Sequence, residues 1–360
     1  MGLRVLLGER SYDIELASTY RDLPGRLRRL GLGPDVWVIS HPSLFRAYGR
    51  QLVGPIRRAG WHVETVTVPE AEASKSLAQV RRLLVALSRR ATMRVPTLLA
   101  FGGGVVGDLT GFVAAVFRRG IPYVQLPTTL LAQVDSAIGG KVGVDLPQAK
   151  NFVGAFYQPR LVWCHTGLLR SLPLRQRRSG LAEVIKYGVM GDAGLFAYVE
   201  RSVPACLALR PAAVRRLVGD SARIKARVVS RDEREQHGVR ATLNFGHTVG
   251  HAIEAATGYR SWTHGEAIAV GMCAASTLAV DVGLWPAREH TRLTRLLEAV
   301  GLPTRAPRVS RAAVRRAMRY DKKFIRGRPR WVLPTRMGHV VVTEAVPAQA
   351  VERALEQYVG

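Results

Sequence analysis

The fold class of this 360-residue chain is decided by residues 96–120, which read PTLLAFGGGVVGDLTGFVAAVFRRG. An apolar strand pattern runs into three successive glycines, and a helical pattern follows at once. Further strand patterns are VWVIS (36–40), HVETVTVP (62–69) and YVQLPTT (123–129), with helical patterns between them. This alternation predicts an α/β domain with a parallel-type sheet and helices on both faces.

The pattern becomes helical from about residue 175, and two strand-like runs near the end, RWVLPTR (330–336) and GHVVVTEAV (338–346), predict a small hairpin. We therefore predict two domains. An α/β nucleotide-binding domain spans residues 1–176, and a mainly α-helical domain that binds metal and substrate spans residues 177–360. The active site is expected in the cleft between them, a common position for one.

The composition favours a cytoplasmic protein. Hydrophobic residues make up 47% of the chain, enough for packed cores. The three cysteines show no C-x-x-C spacing, so neither a disulfide scaffold nor a cysteine-rich zinc site is expected. No apolar run has the length of a membrane span, and the first residues lack a signal-peptide cleavage pattern, so no membrane association is expected.

The formal net charge of +26 has two interpretations, a nucleic-acid binder or an arginine-rich surface with a pocket for an anionic substrate. Arginines are scattered over the polar faces of predicted helices, and no known nucleic-acid motif accompanies them. This favours the second interpretation, with no nucleic-acid partner. Only seven of the 53 basic residues are lysines, which indicates that these lysines mark places where a compact, mobile ammonium is needed.

The glycines after the third strand pattern form a G-x-G-x-x-G motif, with Gly102, Gly104 and Gly107 between a strand and a helix. In that context backbone amides can approach a pyrophosphate at the helix N-terminus. The acidic residue usual about 20 positions later is missing, and Arg118 and Arg119 stand nearby instead. The motif predicts a phosphate cradle; the alternative is a tight turn that binds nothing.

Four side chains in the helical half are candidate ligands of a catalytic zinc ion. Two histidines and one carboxylate with an open fourth position would suit such an ion, so the residues leave four candidates for three positions. Glu254 and Glu266 could orient the ligating imidazoles. The four candidates are Glu183, His247, His251 and His264.

Further polar residues suit a substrate that carries both phosphate and carboxylate. The alternative for each of them is a solvated surface charge. They are Asp135, Lys141, Lys150 and Asn151 around a glycine-rich turn, with Lys225, Arg240 and Asn244 further along the chain.

Several long motifs occur in order between about residue 69 and residue 323, and together they resemble the 3-dehydroquinate synthase family of the sugar phosphate cyclase superfamily. The motifs are GGGVVGDLTGF, QLPTTLLAQVDSAIGGKVGVD, KNFVGAFYQP, GLAEVIKYG, LNFGHTVGHAIE and HGEAIAVGM.

The resemblance implies a phosphate-eliminating lyase of the shikimate pathway, which leads to chorismate and the aromatic amino acids. The family converts 3-deoxy-D-arabino-heptulosonate 7-phosphate to 3-dehydroquinate and phosphate, with bound NAD and a divalent zinc or cobalt ion. NAD oxidises an alcohol of the substrate, phosphate leaves by β-elimination, and the hydride returns. Ring opening and an intramolecular aldol step then close the carbocycle.

The resemblance also implies residue roles. The metal ligands would be Glu183, His247 and His264, with His251 beside them in proton transfer. The cofactor would be contacted by Glu72, Lys75, Gly102, Gly103, Gly104, Val105, Val106, Gly107, Asp108, Thr128, Thr129, Lys141 and Lys150. The substrate pocket would include Asp135, Lys141, Lys150, Asn151 and Lys186, with Lys225, Arg240 and Asn244 at the substrate's carboxylate.

Two further roles concern phosphate. Arg119 matches an arginine that reaches the partner subunit's phosphate site in the family, which implies a homodimer. Lys322 or Lys323 should also contact phosphate.

The chain departs from the family pattern in three places. Residues 40–43, Ser-His-Pro-Ser, replace a turn that usually holds an aspartate, which puts a ribose contact in doubt. Leu168 stands where a threonine is common, and the turn between Lys225 and Arg240 is one residue longer, through His237.

Other enzymes with the same architecture are the alternatives. A sugar phosphate cyclase of the amino-dehydroquinate, valiolone or inosose type is one, and a metal-dependent alcohol dehydrogenase is a more distant one. Cyclases of neutral sugars need no carboxylate pocket, so Lys225, Arg240 and Asn244 argue against them.

Overall fold

A computed structural model describes residues 3–70, 72–90, 95–146, 149–319, 324–325 and 328–360. The chain forms two compact units. The first comprises Met1–Leu172 and Lys225–Ser230, and the second comprises Pro173–Ile224 and Arg231–Gly360. A short piece of a later helix thus belongs to the first unit, and the single division at residue 176 stays a prediction.

Seven strands of the described residues build one sheet in the first unit, in the order β1-β2-β9-β6-β5-β3-β4. All neighbouring strands run parallel except β1 and β2, which are antiparallel. This confirms the predicted α/β fold with its parallel-type sheet. The strands of this unit are β1 (Leu3–Val5), β2 (Tyr12–Ala17), β3 (Asp35–Ser40), β4 (His62–Thr67), β5 (Thr97–Gly102), β6 (Tyr123–Pro127), β7 (Lys141–Leu146), β8 (Ala149–Phe156) and β9 (Leu161–His165).

Helices cover both faces of this sheet because its central strands are apolar at nearly every position. Every residue of β5, β6 and β9 is buried. Alternate residues of β5 enter opposite cores, Leu99 and Phe101 on one side and Leu98 and Ala100 on the other. The covering helices are α1 (Leu23–Arg29), α2 (Pro42–Arg58), α3 (Leu77–Arg90) and α4 (Gly104–Val116).

Strands β7 and β8 form a separate antiparallel ribbon, where the sequence predicted a glycine-rich turn. Gly143 and Gly154 face each other across it so closely that a Cβ on Gly143 would lie 2.5 Å from the Val153 carbonyl oxygen. The ribbon packs against α4, where a Cβ on Gly111 would lie 2.4 Å from the Val142 side chain. Glycine at these positions allows the ribbon to approach both itself and α4.

The second unit is mainly helical, as predicted, and the predicted hairpin near the end is confirmed by β12 and β13. No helix among the described residues has the length and apolarity needed to cross a membrane. The remaining elements are α5 (Leu174–Gly191), α6 (Ala193–Arg201), α7 (Val203–Leu207), α8 (Pro211–Arg231), α9 (His247–Ala256), α10 (His264–Asp281), α11 (Ala287–Val300), α12 (Arg311–Arg319), β10 (Phe324–Ile325), β11 (Arg328–Pro329), β12 (Trp331–Arg336), β13 (His339–Thr343) and α13 (Ala348–Tyr358).

Helix α10 is the centre of the second unit, and glycines let its neighbours touch its backbone. A Cβ on Gly271 would lie 1.9 Å from the Gly246 carbonyl oxygen, just before α9. A Cβ on Gly265 would lie 2.2 Å from the Ser179 carbonyl oxygen of α5. These close approaches bring the beginnings of α9 and α10 next to the middle of α5, and this positions the site described below.

Candidate active site

Glu183, His247 and His264 meet in the second unit from three different helices. Glu183 is a fully buried residue of α5, whereas His247 and His264 are the first residues of α9 and α10. Oε1 of Glu183 lies 3.7 Å from Nε2 of His247 and 3.4 Å from Nε2 of His264. Their candidate ligand atoms all lie within 4.8 Å of one another, so one ion could contact all three.

In each imidazole, the contact made by Nδ1 shows that Nε2 is the nitrogen available to an ion. Nδ1 of His247 lies 3.1 Å from the carbonyl oxygen of Phe245, which can only accept a hydrogen bond. Nδ1 of His264 lies 3.3 Å from a carboxylate oxygen of Glu254. In both rings Nδ1 is thus taken by an oxygen and Nε2 is the nitrogen that faces Glu183, the arrangement common for zinc-bound histidines.

The Glu183 carboxylate fits a bound cation because neither of its buried oxygens has a hydrogen-bond partner among the described residues. Lys186 lies one turn further along α5, and its ammonium forms an ion pair with Oε2 of Glu183. The geometry of this pair is not that of a hydrogen bond. Two ligand atoms that each lie about 2.0–2.1 Å from a tetrahedral zinc ion are about 3.4 Å apart. The distances from Oε1 of Glu183 to Nε2 of His247 and of His264, 3.7 and 3.4 Å, are close to this value. The donor set and its spacing therefore suit zinc.

The electrostatics also suit a cation. Burial works against a charge on His264, but the carboxylates of Glu254 and Glu183 outweigh it and raise the pKa of His264 to about 10. The imidazole thus lies where negative charge accumulates, which is where a divalent ion would be attracted.

His251 lies beside these three residues. Its ring centroid is 5.0 Å from that of His247 and 6.0 Å from that of His264. A second group with metal-like spacing, of His251, Glu254 and His264, shares one histidine with the first. Because Nδ1 of His264 is bonded to Glu254, the geometry favours the first group.

Glu254 and Glu266, the two carboxylates expected to orient the imidazoles, behave differently. Glu254 bonds His264 directly, as expected. Glu266 instead accepts a hydrogen bond from the amide of Thr263 at 2.8 Å, and the Thr263 hydroxyl accepts one from the Glu266 amide. Glu266 therefore caps α10 and touches no imidazole in the described contacts, because it lies on the outer side of that first turn.

In the first unit, the glycine motif joins β5 to the N-terminus of α4. Gly103 occupies the N-cap in an extended conformation, and no side chain caps the helix. The first amides of a helix have no intrahelical acceptor, so they are available to an anion. A Cβ on Gly102 would lie 2.6 Å from Val106, and one on Gly107 would lie 2.8 Å from Gln125 of β6. These two glycines are thus required for packing.

Thr128 and Thr129 lie next to this loop because they follow β6, the neighbour of β5. The Thr128 amide donates to the Gly102 carbonyl oxygen at 3.0 Å. The Thr129 hydroxyl accepts from the Ala132 amide at 3.1 Å. Both threonines are thus fixed at the same edge of the sheet as the uncapped helix.

A charged network lies around Lys75, whose side chain is only 4% exposed. Its ammonium donates to Oδ2 of Asp108 at 2.6 Å and to the side-chain oxygen of Asn151. Lys150 pairs with Glu72 at 2.9 Å. Burial raises the pKa of Asp108, although Lys75 acts against it. Five residues predicted from the sequence are therefore brought together between α4 and the β7–β8 ribbon.

Lys225 and Asp135 form a second ion pair in the first unit. Nζ of Lys225 lies 2.6 Å from Oδ1 and 2.8 Å from the backbone oxygen of Asp135. Asp135 belongs to a one-turn helical segment, Ala132–Ser136, that follows Thr129. Lys141, at the start of β7, is exposed.

Arg240 and Asn244 lie in the second unit, on the short helix Arg240–Asn244. Asp232, which sequence analysis missed, organises the preceding turn: its carboxylate accepts hydrogen bonds from the amides of Gln236, His237 and Arg240 at 2.8, 3.2 and 3.0 Å. Burial opposes its charge, but these amides outweigh it and lower the pKa of Asp232.

The side chains of that short helix are held by the same turn. Arg240 is 2% exposed and donates to the Glu233 carbonyl oxygen. The amide of Asn244 lies 3.3 Å from a carboxylate oxygen of Glu235. Each of the two predicted carboxylate-binding residues is therefore anchored to the turn that Asp232 organises.

The remaining positions are distributed as follows. Arg119 is exposed and has a left-handed backbone (φ 64°), as does Arg118 (φ 48°), a strained conformation for side-chain-bearing residues.

Two positions that depart from the family pattern lie in the first unit. Nδ1 of His41 lies 3.1 Å from the Val68 carbonyl oxygen. Leu168 is a core residue, which explains why a hydrogen-bonding side chain is absent there. Lys322 and Lys323 lie outside the described residues.

Comparisons with known proteins show which family the chain belongs to. Residues 65–179 match the family model of the 3-dehydroquinate synthase N-terminal domain, and residues 180–324 match that of its C-terminal domain. The chain is 45% identical over 359 residues to a 3-dehydroquinate synthase of Nostoc punctiforme, with 98% of each chain covered. It is 48% identical over 355 residues to one of Symbiobacterium thermophilum, covering 97% of this chain and 98% of the relative.

Among solved structures, the chain is similar to ValA, a 2-epi-5-epi-valiolone synthase of Streptomyces hygroscopicus subsp. jinggangensis with NAD⁺ and Zn²⁺ bound. The TM-score is 0.88 at 27% identity, with 98% of this chain and 97% of ValA covered. That likeness extends to the fold of both units, whereas the identity to the curated relatives is much higher. The predicted resemblance is confirmed, and the chain belongs to the 3-dehydroquinate synthase family.

Proposed function

We propose that this protein is a 3-dehydroquinate synthase, a lyase that converts 3-deoxy-D-arabino-heptulosonate 7-phosphate to 3-dehydroquinate and phosphate in the shikimate pathway. The observation that carries the proposal is the 45–48% identity to relatives of that name over nearly the whole of both chains. The buried Glu183–His247–His264 group supports it, since it gives the chain a place for a catalytic metal.

We propose that Glu183, His247 and His264 hold a zinc or cobalt ion. When bound, the ion would act as a Lewis acid on substrate hydroxyls. The buried Glu183 carboxylate, which accepts no hydrogen bond from the described residues, supports this assignment, as do the two Nε2 atoms that lie 3.7 and 3.4 Å from its Oε1. Lys186 would lie beside the ligand carboxylate and be available to an anionic substrate group.

We propose that NAD binds along the carboxyl edge of the sheet in the first unit. When bound, it would accept a hydride from the substrate and return it, so that the net reaction is a phosphate elimination. The uncapped N-terminus of α4 would take the pyrophosphate. The other cofactor contacts are assigned to Glu72, Lys75, Gly102, Gly103, Gly104, Val105, Val106, Gly107, Asp108, Thr128, Thr129, Lys141 and Lys150.

His251 is the proposed proton-transfer group, since its imidazole lies next to those of the proposed ligands. The phosphate would be bound by lysines that already have carboxylate partners, such as Lys150 with Glu72. Such partners orient an ammonium before an anion arrives. Asn151 would complete this group from the same strand, and Asp135 holds Lys225 in the same way.

The substrate's carboxylate would be bound by Lys225, Arg240 and Asn244. A buried guanidinium suits a carboxylate, and Arg240 is held by the Asp232 turn. A cyclase acting on a neutral sugar has no use for these groups. An amino-dehydroquinate synthase would also need these groups. That reaction is therefore the alternative, and it is tested by offering the amino-substituted substrate.

We also propose a cytoplasmic homodimer. Cys164, Cys206 and Cys273 are free, buried thiols, which suits a reducing compartment. Exposed apolar side chains at Val116 and Phe152, within three positions of Arg119 and Lys150, suit contact with a second copy of this chain. In that dimer Arg119 would reach the partner's phosphate site. Light scattering during size-exclusion chromatography measures the mass directly; a monomer at micromolar concentration would refute the dimer.

One experiment tests the proposed reaction. Purified protein is given the heptulosonate phosphate, zinc and less NAD than substrate, and phosphate and dehydroquinate are measured together. We expect equal amounts of both products and many turnovers per NAD. Accumulation of NADH in proportion to substrate would indicate a dehydrogenase instead, and activity only with the amino-substituted substrate would indicate the alternative cyclase.

A further inference from the structure

We infer that an ion pair on the protein surface, Arg175–Glu266, is a positioning device for the metal centre. Together with the Ser179–Gly265 hydrogen bond it fastens the start of α10 to α5. These four residues are called the α5–α10 clamp below. The inference rests on the proposed function, because it concerns the spacing of the proposed ligands Glu183 and His264.

The Arg175 guanidinium binds the Glu266 carboxylate in a bidentate manner, through Nε and Nη2. Its Nε lies 2.7 Å from Oε1 and its Nη2 lies 2.7 Å from Oε2 of Glu266, and Nη2 also donates to the Ser261 carbonyl oxygen at 2.8 Å. A bidentate pair fixes both distance and direction between two helices, which a single lysine ammonium cannot do.

Glu266 transmits this contact to the first turn of α10. The same Oε2 accepts from the Thr263 amide at 2.8 Å, and the Thr263 hydroxyl accepts from the Glu266 amide at 3.3 Å. Thr263 is the N-cap and His264 is the first residue of the helix. Through Glu266, which follows His264 by two residues, the Arg175 contact therefore reaches the N-cap residue directly before the proposed ligand.

The second contact of the clamp involves the residue directly after His264. The Gly265 amide donates to the Ser179 hydroxyl at 3.0 Å, and a Cβ on Gly265 would lie 2.2 Å from the Ser179 carbonyl oxygen. Ser179 precedes Glu183 by four residues on α5, one helical turn. The Ser179–Gly265 contact thus acts within about one turn of each proposed ligand, whereas Arg175 lies about two turns before Glu183 on α5.

The expected consequence concerns metal affinity more than stability. The Arg175 side chain is 57% exposed, and an exposed ion pair contributes little to folding. Outer contacts that orient metal ligands typically change metal affinity 10–100-fold when removed. We therefore assign the clamp the role of setting the distance between Glu183 and His264 before the ion binds.

The chain offers a matched control in the Arg292–Glu200 pair. Its Nε–Oε1 and Nη2–Oε2 distances are 2.8 and 2.7 Å, almost those of the clamp. This pair joins α11 to α6, and neither helix carries a proposed ligand. Arg292→Ala therefore removes an equivalent surface pair in the same unit without touching α10's first turn.

The test compares the zinc affinity of the wild-type apoprotein, Arg175→Ala and Arg292→Ala, by competition with a chromophoric chelator. We expect Arg175→Ala to bind zinc at least about 10-fold more weakly and Arg292→Ala to stay within about 2-fold of wild type. Arg175→Lys, which keeps the charge but not the fork, should resemble Arg175→Ala. Equal affinity of Arg175→Ala and wild type, or equal losses in both alanine variants, would overturn the inference.

A second measurement, hydrogen exchange, needs no metal. It tests the inference even if Arg175→Ala is poorly folded. In the apoprotein, hydrogen exchange of the first amides of α10, Gly265 among them, should be faster in Arg175→Lys than in wild type. Unchanged exchange there would contradict the clamp. If wild-type protein binds no zinc, the proposed metal site fails, and that result is visible before any variant is compared.

Discussion

A carboxylate oxygen of Glu254 lies 3.3 Å from Nδ1 of His264, while Nε2 of the same ring lies 3.4 Å from Glu183. The two carboxylates therefore use the two nitrogens of one imidazole for different purposes. Glu254 orients the ring through Nδ1, and Nε2 faces Glu183, with which it would share the proposed ion.

Replacing Glu254 by glutamine should weaken zinc binding. The amide oxygen can still accept from Nδ1–H, but the negative charge that strengthens the imidazole as a ligand is lost. We expect affinity to fall about 10-fold in Glu254→Gln and more in Glu254→Ala. Chelator competition measures both. Equal affinity of Glu254→Gln and wild type would show that Glu254 does not act on the metal.

Removing a proposed ligand should remove both metal and activity. His264→Ala is expected to contain less than one tenth of the wild-type zinc and to have no measurable activity, since two protein ligands hold zinc poorly. Elemental analysis and phosphate release are the measurements. His62→Ala, at an exposed position of the first unit, is the control and should retain both. Full metal content in His264→Ala would refute the ligand assignment.

Alanine substitutions at the neighbouring residues Gly102 and Gly103 should affect different properties of the protein. Gly102→Ala places a Cβ 2.6 Å from Val106 and should lower the free energy of unfolding by about 1–3 kcal/mol through overpacking. Gly103→Ala meets Thr129 at 3.2 Å, in an extended backbone that alanine adopts, and should cost less stability. Its main effect should be weaker NAD binding, because the methyl group lies at the uncapped helix start. Denaturant unfolding and NADH fluorescence titration separate the two effects.

Asp232 should matter for both stability and substrate binding. Asp232→Asn weakens three backbone hydrogen bonds to a carboxylate, at an expected cost of about 1–3 kcal/mol in unfolding free energy. Because the folded-state pKa of Asp232 is lowered, this stabilisation is present above about pH 4 and is lost as the pH falls through the folded-state pKa. Asp220→Asn, at a partly buried carboxylate of the same unit that pairs with Arg223, is the control. A pH-independent difference between Asp232→Asn and wild type would contradict this explanation.

Arg240 should act on the substrate's carboxylate. Arg240→Lys keeps the charge but loses the planar fork, and we expect kcat/KM for the heptulosonate phosphate to fall roughly 10-fold or more, as charged hydrogen bonds contribute about 1.5–3 kcal/mol. Arg234→Lys, an exposed arginine of the same loop, should change it little. Unchanged kinetics in Arg240→Lys would point to a substrate without that carboxylate.

Much of the fold could be predicted because its signals are local. The central strands β5, β6 and β9 are buried on both faces, so they read as apolar runs bounded by glycine, proline or threonine. The glycine motif predicted a strand–loop–helix junction for the same reason. The β7–β8 ribbon was missed, since its glycines reflect close approach to α4, which no local periodicity records.

The sequence by itself determined the residue types of the site: one glutamate and three histidines for a metal, and scattered lysines for anions. Only the tertiary structure decided how they are used. His247 and His264 direct Nε2 toward Glu183 because Phe245 and Glu254 take their Nδ1 protons. The Arg175–Glu266 pair joins residues 91 positions apart. Contacts over such separations depend on how helices dock, and a pattern of neighbouring residues contains no record of that.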